Sequence, residues 1–115
     1  MSIVMKSCIV VKLQMEWIHK REWCDIDEVS FLKNDHRHIF YIKCKKVVTH
    51  HDRDIEIIKL KREIEKYLTE WYCKPLELNN TSCEMLAEEL IIAFGLCSCE
   101  VLEDNENWAY LSYNF

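Results

Sequence analysis

Alternation of apolar and polar positions dominates the first half of the chain. In residues 3–18, IVMKSCIVVKLQMEWI, Ile9, Val11, Leu13, Met15 and Trp17 fall on one side. Val10, Lys12, Gln14 and Glu16 fall on the other. Successive residues of an extended chain point to opposite faces, so this period predicts a strand with one dry and one mostly wet face. Residues 20–35 carry charge without a period and predict a long loop, with a short turn near Asp25–Val29. Residues 36–49, HRHIFYIKCKKVVT, alternate again. His36, His38, Phe40, Ile42 and Cys44 share one face; Arg37, Ile39, Tyr41, Lys43 and Lys45 share the other. The polar run HHDRD ends this second strand.

The period then changes. Ile57, Leu60, Ile64, Tyr67, Leu68 and Trp71 recur at steps of three and four residues, with Lys61, Glu65 and Lys66 between them. This spacing predicts an amphipathic helix over 56–72. The stretch CKPLELNN predicts a loop. Thr81-Ser-Cys-Glu84 reads as a capping box, with Thr81 receiving the amide of Glu84 and the carboxylate reaching back. The helix it opens carries Met85, Leu86, Leu90, Ile91 and Phe94 and stops at Gly95. Residues 96–103 and 107–113 alternate and pair around the turn DNEN. The order is strand, strand, helix, helix, strand, strand. It predicts one α+β domain over residues 1–115, a four-stranded antiparallel sheet with both helices on one face. The first two strands are long for a lone small domain, and assembly with further copies is one way to cover their edges.

Composition narrows the class. The chain has 115 residues, 50% of them hydrophobic and 30% charged, with a single Gly and a single Pro. That is a globular chain with a thin stability margin, whose turns come from Asn, Asp and Ser. A net charge of −5 argues against nonspecific nucleic-acid binding, while leaving room for an anionic small molecule held by one or two arginines. Seven cysteines, an odd number with no visible signal peptide, predict reduced thiols in a cytoplasm. Cys97-Ser-Cys99 is too close for a zinc knuckle and reads as strand alternation. No run is long and apolar enough to predict a membrane span.

Three clusters carry candidate chemistry. If the first two strands form a hairpin, His19 at the end of one lies beside His36 and His38 at the start of the other. Zinc in catalytic sites takes three protein ligands and keeps a fourth position open, and these imidazoles meet that number. The alternative is that His36 and His38 bond to acidic residues around Asp35 and that His19 is exposed. His50-His51-Asp52-Arg53-Asp54 could tune a base near neutral pH, or form a solvated turn before a helix. Glu103 ends a strand and suits the paired N–H groups on one edge of a guanine or pterin ring. Asp104 and Glu106 read as ordinary acids of a hairpin turn. Cys24 is the thiol nearest the histidines in sequence and is the candidate nucleophile or base, with a structural role as its alternative.

Taken together these residues resemble the tetrahydropterin synthase family, which includes 6-pyruvoyltetrahydropterin synthase and 6-carboxytetrahydropterin synthase. That family has a T-fold of the same element order. Its zinc is held by one His ending the first strand and by an H-G-H pair opening the second; His19 and His36-Arg37-His38 match, with Arg37 in place of Gly. The family's aspartate-led start to the first helix resembles Asp54 through Lys61. Its Pro-Thr-x-Glu start to the second resembles Thr81–Glu84. Its pterin-anchoring glutamate falls on Glu103. The resemblance spans roughly residues 8 to 113. It implies zinc on His19, His36 and His38, and a pocket between subunits of a ring or barrel.

The departures bear on activity. The family's catalytic cysteine lies shortly before the histidine pair, where this chain has Phe31-Leu32-Lys33-Asn34. The Asp-His pair between the helices is missing from TEWYCKPLELNN. Three readings follow. One is a zinc-dependent lyase of the synthase type, with Cys24 or His51 moving protons. Another is a protein without the usual relay that binds a purine- or pterin-like ligand, with Glu103 on the ring and Arg37 and Arg53 on phosphate. A viral protein that sequesters a nucleotide signal is one version of it. The last is a subunit that only assembles, or that inhibits a partner protein, through Trp17, Trp23, Trp71 and Trp108. The second reading is favoured.

Overall fold

The computed structural model describes residues 3, 5–19, 36–72, 77–79, 81–104 and 106–113. In chain order the elements are β1 (Ser7–His19), β2 (His36–Val48), α1 (Ile57–Trp71), β3 (Glu77–Asn79), α2 (Cys83–Phe94), β4 (Ser98–Glu103) and β5 (Asn107–Ser112). They form an open α+β fold whose sheet runs β3-β1-β2-β4-β5. β1, β2, β4 and β5 are antiparallel neighbours, as the alternation predicts. The addition is β3, three residues inside the stretch expected to be a loop, which pairs parallel to the end of β1. So short a strand has no readable period, and its pairing with β1 is a long-range contact.

One face of the sheet is dry. Val11, Leu13, Trp17, Phe40, Ile42, Cys44, Cys99 and Val101 form a single core with Leu60, Ile64 and Leu68 of α1 and Leu86, Ala87 and Leu90 of α2. Both helices therefore lie on the same face. Fully burying such a side chain stabilises by about 2 kcal/mol, so this one layer holds the domain together. α1 touches the sheet through the stripe Leu60–Ile64–Leu68. Ile57 and Trp71, which share its apolar period, flank the stripe at the helix ends and stay 46% and 68% exposed.

The helix starts differ from expectation in one respect. α2 is capped by Ser82, whose Oγ accepts the Met85 amide at 3.1 Å, one residue later than the Thr81 box would place it. In that frame the third helical position is Met85, so no carboxylate reaches back. α1 is capped by Glu56, which accepts the Ile58 amide at 3.0 Å. Asp54 instead holds Thr49, through its amide at 2.8 Å and its hydroxyl at 2.9 Å. α2 ends on Gly95 at φ 62°, a left-handed conformation that glycine adopts without strain. The Lys46 ammonium donates to the Phe94 carbonyl there, where the helix dipole favours a cation. Among the described residues no helix is long and apolar enough to cross a membrane.

Candidate functional site

The hairpin register sets the site. His19 stands opposite His36, and Trp17 opposite His38. Antiparallel partners share a face, so these positions lie on the helix-covered side with Phe40. The next strand extends the group, because Glu103 stands opposite Phe40. His19, His36, His38 and Glu103 thus occupy one face at one end of the sheet. For His19, His36 and Arg37 the description covers the backbone only.

His38 has the best-defined surroundings. Its ring lies edge-on to Phe40, with centroids 6.2 Å apart at 87°. Its Nδ1 bonds to Asp104 Oδ2. Asp104 Oδ1 accepts the Ile39 amide at 2.9 Å, and the Asp104 amide donates to the Ile39 carbonyl at 2.7 Å. Asp104 sits at φ 51°, a left-handed conformation that Asp tolerates better than most residues. The Ile39 amide, and then the bond to His38, hold its carboxyl below the ordinary carboxylate range. By sequence Asp104 reads as a plain turn acid. The structure adds a clasp on the start of β2. Only the β2–β4 register, which brings residue 104 beside residue 39, could have revealed it.

Burial first, and then the Glu103 charge, push the thiol of Cys83, the first residue of α2, up to about 12. Trp17 stands opposite His38 on the same face. It is fully buried, packed on Phe40 at 5.4 Å and on Tyr72 at 5.8 Å. Its indole N–H is buried with no hydrogen-bond acceptor among the described residues. A buried donor of that kind is costly unless something accepts from it. Tyr72 donates to Glu89 Oε2 at 2.6 Å, tying the end of α1 to α2; burial and that carboxylate raise its hydroxyl.

The other candidates lie elsewhere. His51 and Arg53 follow β2 at its opposite end. β2 has 13 residues, and at about 3.3 Å per residue its ends are roughly 40 Å apart. His51 Nε2 meets Ser7 Oγ at 3.0 Å, and Arg53 pairs with Asp52 at 2.7 Å. Within one chain neither joins the histidine end. Arg37 stands opposite Ile18, which puts its position on the sheet face away from the histidines. Cys24 lies outside the described residues.

Among the described side chains there is no group of three that could hold a metal ion. His19 and His36 fall outside that statement. By residue type, the donor positions are ones that zinc would suit. Three imidazole positions share one face, and one imidazole is backed by a carboxylate, the usual partner of a ligating histidine. No family model matches the chain, and no characterised protein matches it in sequence.

Proposed function

We propose that this chain is a divergent T-fold protein that binds a purine- or pterin-like ligand at the histidine end of its sheet. Zinc would be held by His19, His36 and His38, and the usual synthase proton relay would be absent. The observation that carries the reading is the register: His19 opposite His36, with His38 and Glu103 further along the same face. It stands on that placement and on the resemblance of the motifs.

The roles follow from the chemistry of each group. Glu103 accepts from the paired N–H groups on the ring edge, as a carboxylate does with an amidine. The Trp17 N–H has no acceptor among the described residues and would donate to a ring carbonyl. When bound, zinc would act as a Lewis acid toward a ligand oxygen. The missing relay is the reason to favour binding over turnover: the stretch TEWYCKPLELNN between the helices lacks the Asp-His pair, and His51 lies at the far end of β2.

Assembly belongs to the same reading. β5 is the last strand of the sheet, and its Trp108 and Tyr110 are exposed. An open edge strand offers unpaired backbone groups to another copy. A ring formed this way would put residues of two subunits around each pocket, including Arg37 or Arg53 from a neighbour for a phosphate.

Elemental analysis together with native mass spectrometry tests the reading, followed by a thermal-shift screen against guanine nucleotides, cyclic dinucleotides and pterins. The expected result is zinc in an assembled ring and stabilisation by at least one of these ligand classes. A metal-free monomer that none of them stabilises would overturn it.

A further inference from the structure

We propose that Cys44 and Cys99 are a latent redox pair, two reduced thiols placed to close a disulfide between β2 and β4 when the chain meets hydrogen peroxide. They are direct partners in the antiparallel register, and their sulfur atoms lie 3.9 Å apart. Partners of that kind have Cα atoms about 4.5 to 5.5 Å apart, inside the span of about 4.4 to 6.8 Å that a disulfide needs. Side-chain rotation therefore completes the bond without sliding either strand.

The geometry also favours this pair over its neighbours. Cys8 and Cys97 line one cavity on the sheet. Cys8 stands opposite Val47 of β2, whereas the Cys97 amide donates to the Lys45 carbonyl at 2.8 Å from the β4 side of that strand. Positions on either side of a strand are two spacings apart, roughly 9.5 Å, too far for a disulfide unless the backbone moves.

The reaction balances with peroxide alone. One sulfur attacks the peroxide, the O–O bond breaks, and a sulfenic acid and one water result. The second sulfur then attacks the first. The S–O bond breaks, the S–S bond forms, and a second water carries off the remaining proton. Two thiols give up two electrons and two protons, and one peroxide is reduced to two waters. Both side chains are fully buried, and the bond to Cys44, then burial, raise the Cys99 thiol. The pair therefore answers sustained exposure rather than a brief pulse. Hydrogen peroxide is little larger than water and reaches sulfur that bulkier reagents do not. Once closed, the link staples β2 to β4 in the register that sets Glu103 opposite Phe40.

The test exposes the full native chain to hydrogen peroxide at neutral pH. Remaining thiols are then blocked with N-ethylmaleimide in urea, and the digest is mapped by mass spectrometry. The expected product is a Cys44–Cys99 link within one chain, two hydrogens lighter than the parent and reversed by dithiothreitol. The urea midpoint of the oxidised protein should lie above that of the reduced protein, because the link closes a long loop in the unfolded chain. In Cys99→Ala that rise should vanish. A native chain that keeps both thiols reduced, or oxidises them to sulfinic acids without a link, overturns the inference and needs no variant to fold. So does a map that joins either residue to a different cysteine.

Discussion

Glu103 stands directly across from Phe40, so its carboxylate is on the core side of the sheet although it ends an exposed hairpin. The same placement brings its charge to Cys83. This gives Glu103 two separable readouts. Replacing Glu103 with Gln removes a negative charge, so the Cys83 thiol should drop below its value of about 12. Alkylation of Cys83 as a function of pH, followed by mass spectrometry, reports that shift. The same variant should lose purine or pterin binding about tenfold or more, since a charge-assisted pair is worth about 1.5 to 3 kcal/mol. An unshifted Cys83 profile would mean that the two groups are not neighbours.

Acid should loosen both ends of β2. The carboxyls of Asp54 and Asp104 are lowered from 3.8, chiefly by the amides of Thr49 and Ile39. A group with a depressed folded value stabilises above its unfolded value, and that stabilisation is lost as pH falls through the folded one. The loss therefore falls below pH 3.8. Urea unfolding between neutral pH and about pH 2 should show stability dropping in that window. The drop should be smaller in Asp54→Asn. An equal drop in the variant would rule out this carboxyl as a contributor.

α1 offers a contrast in burial along one apolar stripe. Ile64 is 0% exposed and Ile57 is 46% exposed. Ile64→Ala should cost about 3 to 4 kcal/mol, the transfer loss plus a cavity. Ile57→Ala should cost less than about 1 kcal/mol, in keeping with a largely wet position. Denaturant midpoints of the two variants decide it. Similar costs would mean that α1 sits on the sheet in another rotation.

The thiols should divide by position. Cys8 is exposed, whereas Cys44 and Cys99 are buried with sulfur atoms 3.9 Å apart. The bond to Cys44, and then burial, raise the Cys99 thiol. Iodoacetamide on the native protein should label Cys8 early and leave Cys44 and Cys99 unmodified until urea unfolds the chain. Labelling of Cys99 at the rate of Cys8 would argue against the core described.

Much of the fold was legible. Val11, Leu13, Trp17, Phe40, Ile42 and Cys44 are buried as their alternation predicts, and the helix stop at Gly95 holds. The cap of α2 was misplaced by one residue, because Thr81 and Ser82 carry the same capping chemistry and only the backbone geometry chooses between them. β3 and the Asp104 clasp were not legible at all.

The sequence by itself determined which residues turn toward the core, because periodicity is a property of neighbours along the chain. It also determined that His36 and His38 share a face. Only the tertiary structure decided what stands beside them. Pairing His19 with His36 depends on a hairpin spanning residues 20–35, and bringing Glu103 and Asp104 to the start of β2 depends on a register between strands some sixty residues apart. Register follows from burying many side chains at once, and no local stretch of sequence records it.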